Sequence, residues 1–211
     1  MEHRYPLTVR LRNRARWEMS KLHDRYRDWR LGIDTRNQLA PTYDADVHGK
    51  NRPNEGTSFL ALDKIAAHFP LFDDDVFMDI GCGFGRVLCY FGARAKVRAL
   101  VGVELRPDVA AKARANAARL PHLPISILEG DATQQDYRSV TAIYMYNAFD
   151  GDVMWEVLAA IDRQRRGYLR LCYVNPVERL TLEHCGWLEQ TGSFTVPFRH
   201  TRMEATIWHS R

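Results

Sequence analysis

The stretch that decides the fold is Val76-Phe77-Met78-Asp79-Ile80-Gly81-Cys82-Gly83-Phe84-Gly85-Arg86. Its first five residues are mostly apolar and predict a short buried strand over Val76–Ile80. The glycines that follow predict a tight turn that lets the backbone approach a ligand closely, because glycine has no Cβ and tolerates positive φ. A helix from about Gly85 to Ala95 then completes a strand–turn–helix unit.

Strand-like and helix-like segments alternate beyond this unit. Further strands are predicted at four places: Ala99–Glu104, Ile125–Leu128, Thr141–Tyr146 and Gly167–Val174. Such alternation predicts a doubly wound α/β domain with a parallel sheet and right-handed crossovers. Two final strands, Trp187–Val196 and Met203–His209, are separated by a turn too short for a crossover helix, so they should pair antiparallel.

The N-terminal part of the chain has a different character. Residues 7–31 predict one or two amphipathic helices, and the polar, Gly- and Pro-containing run from Gly32 to Gly56 indicates a long loop, of the kind that often acts as a lid. We therefore divide the chain into an N-terminal basic helical extension with a lid loop, residues 1–56, and a cofactor-binding domain, residues 57–211.

The extension is strongly basic. Between Arg4 and Arg36, ten Lys and Arg residues stand against four Asp and Glu, a net charge of +6 that exceeds the +4 of the whole chain. Such a segment suits a nucleic acid, an acidic protein or an anionic substrate, or it is simply a solvated helix face. Apolar residues recur in it at helical spacing, which favours a helix packed on its own domain. These residues are Trp17, Leu22, Tyr26, Trp29 and Ile33.

Composition excludes several classes of protein. A length of 211 residues with 45% hydrophobic and 27% charged residues is typical of one globular domain. No apolar run reaches 18 residues and the N-terminus lacks a signal-peptide core, so we expect a cytoplasmic protein without a membrane partner. The four cysteines lack metal-ligand spacing, so we expect free thiols and no metal.

Three acidic residues close three consecutive predicted strands. Asp79 precedes the glycines, Glu104 ends the second strand, and Asp131 follows the third. The carboxyl ends of parallel strands meet at one edge of the sheet, where ligands bind. There Asp79 suits loop amides or an ammonium group, Glu104 two ribose hydroxyls, and Asp131 an adenine amino group. A dinucleotide fingerprint, Gly-x-Gly-x-x-Gly, would need its third glycine at Arg86, which disfavours an NAD-dependent oxidoreductase.

These segments together resemble a known family. Val76–Arg86, Val101–Glu104 and Glu129–Ala132 are similar to motif I, the following acidic position and motif II of class I S-adenosylmethionine (SAM)-dependent methyltransferases. The resemblance covers roughly residues 55–185. It implies the class I methyltransferase Rossmann-like fold, a mostly parallel seven-stranded sheet with a C-terminal antiparallel hairpin, here with an N-terminal helical extension.

The resemblance also implies the cofactor contacts. Asp79, Gly81 and Gly83 would line the methionine end of SAM, with Glu104 at the ribose and Asp131 at the adenine. Their neighbours along the motifs complete the expected set: Cys82, Leu105 and Ala132.

The tip of the fourth strand carries Tyr146-Asn147-Ala148-Phe149. It resembles the Asn/Asp-Pro-Pro-Tyr/Phe motif of amino-methylating enzymes, with Ala148 in place of a proline. By that resemblance Asn147 accepts a hydrogen bond from the target nitrogen and also contacts the cofactor, while Phe149 offers a cation–π face. The alternative is that Asn147 is a turn residue and Phe149 belongs to the core.

Residues Asn54–Phe59 and Asp74–Phe77 resemble the entry segment of the non-SET histone lysine methyltransferases. That similarity implies that Glu55 and Thr57 fold over the cofactor, and that Tyr43 joins the lid as a candidate catalytic residue. Bacterial methyltransferases with a Tyr-Asn-Pro-Phe motif and a Tyr-Val-Asn-Pro run, here Tyr173–Pro176, are also similar.

The sequence therefore predicts a SAM-dependent methyltransferase that releases S-adenosyl-L-homocysteine. The length of the chain favours a nitrogen or oxygen of a small molecule as acceptor, because little is left for a protein-docking platform. The basic extension favours a protein lysine or RNA instead. A non-catalytic SAM-binding module is the alternative of another class.

Overall fold

A computed structural model describes residues 7–36, 56–198 and 201–211. Helix α1 spans Leu7–Leu31 and α2 spans Phe59–His68, capped by Ser58, whose Oγ accepts a hydrogen bond from the Ala61 N–H. The remaining elements follow in chain order: β1 Val76–Ile80, α3 Arg86–Gly92, β2 Ala99–Glu104, α4 Pro107–Ala117, β3 Ile125–Glu129, a 3-10 helix Ala132–Gln134, β4 Ala142–Tyr146, α5 Gly151–Gln164, β5 Arg170–Val174, α6 Arg179–His184, β6 Leu188–Phe198 and β7 Thr201–Ser210.

The strands form one seven-stranded sheet in the order β3-β2-β1-β4-β5-β7-β6. Strands β1 to β5 pair parallel, and β7 pairs antiparallel with both β5 and β6. The predicted fold class, with its terminal hairpin, is confirmed. The order reverses between β1 and β4, and that switch point is where a doubly wound sheet opens a crevice for ligands.

Alternate residues of the central strands face two separate cores. On β1, Met78 and Ile80 pack in the core covered by α5, whereas Phe77 packs in the core covered by α2 and α3. The two-residue period of a strand therefore places Asp79 on the same face as Phe77. Both faces of the sheet are covered, as a parallel sheet requires.

Several element bounds differ from the sequence prediction. Helix α3 ends at Gly92 rather than near Ala95, and β5 begins at Arg170 rather than at Gly167. Leu169, just before β5, pairs with Ser210 outside the regular ladder of the strands. Its N–H donates to the Ser210 Oγ, and its carbonyl accepts a hydrogen bond from the Ser210 N–H. The 3-10 helix was not predicted, because three residues show no periodicity.

Helix α1 packs on the domain, but mostly not through the apolar residues whose spacing predicted the contact. Leu22, Tyr26 and Trp29, which the spacing placed against the domain, are each more than half exposed, and only Ile33 is buried. The face turned inward is polar: Asp24 and Asp28 form ion pairs with Arg86 on α3. The packing prediction was wrong for these three residues because periodicity identifies a stripe, not what the stripe contacts.

Among the residues described, no helix has both the length and the apolar character needed to cross a bilayer.

Candidate functional site

The glycine loop joins β1 to α3 at the switch point of the sheet. Gly81, Gly83 and Gly85 have φ values of 79°, 54° and 79°, in the left-handed region where only glycine is free of a Cβ clash. A Cβ at Gly81 would also lie 3.2 Å from the Cβ of Ala148. The loop that follows β4 is therefore packed directly against the glycine loop.

Asp79 is the most unusual group at this edge. It is 2% exposed, and its Oδ2 has no hydrogen-bond partner among the described residues. Burial, and then the nearby Glu104 carboxylate, raise the pKa of Asp79 well above its usual value. An unsatisfied buried acceptor is costly, and it fits a cationic donor such as the ammonium group of SAM.

Glu104 lies at the end of β2 and fixes the loop from the neighbouring strand. Its Oε2 accepts a hydrogen bond from the Gly83 N–H and its Oε1 one from the Arg106 N–H, both at 3.0 Å. Burial raises the pKa of Glu104, against the lowering effect of these two amides. Each carboxylate oxygen keeps a further lone pair, so the group can still accept from two hydroxyls. Leu105 follows it and is half-buried.

Asp131 follows β3 and caps the 3-10 helix, with its Oδ1 accepting a hydrogen bond from the Thr133 N–H at 2.8 Å. Ala132 is buried, and its carbonyl accepts a hydrogen bond from the Tyr137 hydroxyl. Capping uses one of several lone pairs of the carboxylate, so Asp131 retains acceptor capacity.

Asn147 directly follows β4 with φ 38°, and its N–H donates to the Val174 carbonyl on β5. Its Oδ1 is buried and has no hydrogen-bond partner among the described residues. Asn175 follows β5 in the same conformation, with φ 52°. Two adjacent strand ends therefore carry left-handed asparagines, and residues held in sparsely populated backbone regions cluster at functional sites.

Phe149 and Thr57 have different positions relative to this edge. Phe149 is buried in the core under α5, as the alternative interpretation expected. Thr57 lines the pocket beside Asp79 and the glycine loop, and a hydrogen bond of 2.6 Å joins its Oγ1 to the hydroxyl of Tyr144 on β4. Burial raises the pKa of Tyr144 well above its usual value, so this hydroxyl stays protonated. Tyr43 and Glu55 lie outside the described residues.

Arg86 is the main site residue that the sequence interpretation missed. The buried guanidinium lines the same pocket, where its Nε donates to the Thr35 Oγ1 at 2.6 Å and its Nη1 donates to Asp24 and to the Thr57 carbonyl. It thus connects α1, the start of α2 and the glycine loop. The available signal was its position, since Arg86 replaces the third glycine of a dinucleotide loop immediately after motif I.

The described residues contain no group of three or more His, Cys, Asp or Glu side chains that could hold a metal ion. All four cysteines lie within the described ranges and are free thiols.

Comparisons with known proteins agree with this fold. Residues 77–166 match the family model described as a methyltransferase domain. No curated protein matches the chain.

Solved structures share the fold at low sequence identity. An RNA methyltransferase from Salinibacter ruber in complex with S-adenosyl-L-homocysteine is 18% identical with a TM-score of 0.57, covering 74% of this chain and 92% of its own. Precorrin-6y C5,15-methyltransferase from Geobacter metallireducens is 16% identical with a TM-score of 0.61, covering 85% and 94%. Magnesium protoporphyrin IX methyltransferase from Synechocystis, with bound SAM, is 12% identical with a TM-score of 0.56, covering 71% and 76%.

The acceptors named for these structures range from RNA to tetrapyrroles, so the shared fold does not identify the acceptor. Residues 77–166 thus match a methyltransferase domain, and the strand order and the glycine loop at the switch point give the chain the class I methyltransferase Rossmann-like fold.

Proposed function

We propose that the chain methylates a nitrogen, or an oxygen, of an acceptor held beside Asn147, and that a small molecule is the first candidate acceptor. The observation that carries the proposal is a pair of unsatisfied buried oxygens. Asp79 Oδ2 lies in β1 and Asn147 Oδ1 directly after β4, the two strands at the switch point of the sheet. Native proteins satisfy nearly all such groups, so a pair at one sheet edge indicates ligand-binding positions.

In this proposal the three acids divide the cofactor between them. Asp79 pairs with the ammonium of SAM, Glu104 accepts from the ribose hydroxyls, and Asp131 accepts from the adenine amino group. Gly81, Cys82 and Gly83 bring the backbone close to the methionine end. Smaller contacts come from Leu105, Ala132 and Thr57, and Glu55 and Tyr43 remain predictions from the sequence.

Bound SAM supplies a methyl group on a positively charged sulfur, ready for in-line displacement. Asn147 accepts a hydrogen bond from an N–H or O–H of the acceptor through Oδ1, and this bond orients the acceptor's lone pair toward the methyl group. Ala148, packed against Gly81, holds Asn147 at a fixed distance from the cofactor loop. Phe149 supports this loop from the core rather than facing the acceptor.

Removing the Asn147 side chain tests the proposal. Because φ is positive at this position, glycine removes the amide without backbone strain, and aspartate keeps an acceptor oxygen in the same place. We expect Asn147→Gly to lower the rate of methyl transfer about 100-fold while SAM affinity, measured by calorimetry, stays within about threefold, a change worth well under 1 kcal/mol. Asn147→Asp should keep more of the activity than Asn147→Gly.

The acceptor class is determined by incubating the protein with SAM that carries a tritiated methyl group and measuring the label in the small-metabolite, protein and RNA fractions of a lysate. Label in small metabolites supports the first candidate, and label in protein or RNA contradicts it. A wild-type protein that binds SAM but never forms S-adenosyl-L-homocysteine would instead indicate a non-catalytic SAM-binding module.

RNA is the second candidate acceptor, and one specific observation favours it. Helix α1 is docked on the domain with its basic and aromatic face turned outward, beside the helix that starts at the cofactor loop.

A further inference from the structure

We propose that helices α1 and α3 form a docking groove for single-stranded RNA. The proposal rests on the proposed function in one respect, because it takes the second candidate acceptor, RNA, as the substrate of the same site in place of a small molecule. The groove itself lies outside the cofactor pocket, so its binding can be measured separately.

The first observation is the direction in which α1 is turned. Met19, Leu22, Tyr26 and Trp29 are 65%, 55%, 51% and 72% exposed, and their spacing of three, four and three residues places them on one stripe. The opposite face carries Asp24 and Asp28, which are held by Arg86. Helix α1 therefore docks through its acids and leaves its aromatic residues uncovered by the described part of the chain.

The second observation is charge. The sequence of α1 contains eight Lys and Arg and only three Asp and Glu. Two of those acids face inward in the ion pairs with Arg86, and the third, Glu18, pairs with Lys21. Arg14, Arg25 and Arg30 are exposed. The outer face of α1 is thus strongly positive, and a polyanion is its complementary partner.

The third observation is a groove of about 330 Å³ between α1 and α3. Its lining combines three guanidinium groups, those of Arg27, Arg30 and Arg94, with the half-exposed ring of Tyr26 and the buried ring of Tyr90. The Arg30 Nη1 donates to the Tyr26 hydroxyl at 3.2 Å, and the Arg94 guanidinium lies 4.9 Å from the centre of the Tyr90 ring. These contacts orient the arginines before any ligand arrives.

Asp63, on α2, adds to this preorganisation. It lies 3.3 Å from Arg27 and 3.6 Å from Arg94, and its Oδ1 accepts a hydrogen bond from the Tyr90 hydroxyl. One carboxylate thus positions two guanidiniums but neutralises only one of their charges. Arg30 makes its described side-chain contact with the neutral Tyr26 hydroxyl, so its charge is available to a phosphate.

RNA fits this combination better than other partners. A second copy of the chain would bring the same positive face and be repelled, and an acidic peptide would match the charge but not the exposed rings. A flat anionic membrane would meet the ridge of Met19 and Trp29 rather than the groove. Single-stranded RNA offers phosphates for the arginines of the groove and bases that stack on the exposed ring of Tyr26, the usual combination in such sites.

The groove is also close enough to the cofactor pocket to serve it. Helix α3 begins at Arg86, which lines that pocket. Tyr90 follows one turn later, about 6 Å along the axis of α3 at 1.5 Å per residue, and Arg94 lies two residues beyond the end of that helix.

Fluorescence anisotropy with a labelled oligouridylate tests the groove. The double reversal Arg30→Glu/Arg94→Glu should weaken binding at least tenfold and make the salt dependence shallower by about 1.4, because about 0.7 of slope is lost per phosphate contact on a single strand. The matched control is Arg163→Glu, an exposed arginine on α5, the helix that covers the opposite face of the sheet. It should change the affinity less than twofold.

Two further measurements keep the result interpretable. Circular dichroism and thermal melting establish that each variant is folded, and Arg30→Gln/Arg94→Gln gives a milder second test if the reversal unfolds the chain. SAM affinity by calorimetry should be unchanged in every groove variant, because none of these residues lines the cofactor pocket. Loss of RNA affinity with normal SAM affinity supports the groove.

The opposing outcomes are distinct. Equal RNA affinity in the groove variants and the control overturns the proposal, as does an absence of RNA binding by the wild-type chain. Co-sedimentation with phosphatidylserine vesicles without RNA binding overturns it in favour of a membrane surface. A chain that binds RNA but not SAM would refute the proposed function and leave the groove standing.

Discussion

Strand β1 has a buried aspartate near each end, and the two have opposite surroundings. Asp75 immediately precedes the strand, and its carboxylate forms an ion pair with Arg170 and accepts hydrogen bonds from the Thr141 hydroxyl and the Phe72 N–H. Asp79, four residues later, leaves Oδ2 without a partner among the described residues, and the charge that raises its pKa, after burial, is another carboxylate, Glu104.

The two ends of this strand differ in whether the protein itself satisfies the buried carboxylate. At the amino end of the sheet, the chain itself satisfies the buried charge. At the carboxyl end it does not, although the same sheet could have supplied a cation there. An unsatisfied buried acceptor destabilises the free protein and is retained where a ligand satisfies it, so the contrast supports the proposal that Asp79 is a binding group.

The largest expected effect comes from breaking the satisfied end. Asp75→Asn should lower the free energy of unfolding by about 3–5 kcal/mol, because it leaves the largely buried Arg170 guanidinium without its counter-charge. Chemical denaturation measures the loss. The matched control is Asp73→Asn, whose side chain is 75% exposed in a pair with Lys96 and should contribute at most about 1 kcal/mol. Similar losses in both variants would contradict the comparison.

At the unsatisfied end, a substitution of the same kind should affect binding instead. Asp79→Asn should weaken SAM affinity by about 10- to 100-fold, because a hydrogen bond to a charged group contributes about 1.5–3 kcal/mol. The unfolding free energy at neutral pH should stay the same or rise, because the variant buries no charge. Calorimetry and denaturation report the two quantities, and a variant that is destabilised yet binds SAM normally would reverse our assignment of the two aspartates.

The smallest expected effect is a pH dependence of SAM affinity, which should change at most about tenfold per pH unit. Burial raises the pKa of Asp79 in the folded chain, so the protonated form is favoured there and SAM affinity should fall as the pH drops through that raised pKa. The sign for stability is opposite. Because the folded pKa lies above the unfolded one, the free chain loses stability as the pH rises from about 4 toward the raised pKa.

Asp79→Asn is the control for both dependences, since it lacks the titrating group but leaves the titration of SAM itself in place. Wild-type and variant affinities with parallel pH profiles would show that Asp79 does not carry the effect.

The central strands could be predicted almost to the residue. Val76–Ile80 and Ala99–Glu104 have the predicted bounds because each is a short apolar run closed by a turn or an acid. The C-terminal hairpin could be predicted because the turn between its two strands is too short for a crossover helix. The direction in which α1 faces could not be predicted, because it depends on ion pairs between Asp24 and Arg86, which are 62 residues apart in the chain.

Prediction of the site from the sequence is limited in the same way, by contacts between residues that are distant in the chain. The position of an acid at a strand end is a local property, so the places of Asp79, Glu104 and Asp131 in the fold could be predicted from the sequence. Whether an oxygen is satisfied depends on every neighbour in space, so the open state of Asp79 and Asn147 required the structure. The pocket wall of Thr57 and Tyr144 joins residues from an N-terminal loop and a central strand, and no sequence spacing indicates it.

The paired asparagines after β4 and β5 have a consequence for how such a chain can change over evolution. With φ values of 38° and 52°, positions 147 and 175 favour glycine, asparagine and aspartate, since most other side chains are strained there. Two of these three residues carry an acceptor oxygen and the third carries none. Backbone conformation alone thus restricts which residues can stand at both strand ends. Asparagine and aspartate can accept a hydrogen bond from the substrate, and glycine leaves room for a bulkier substrate.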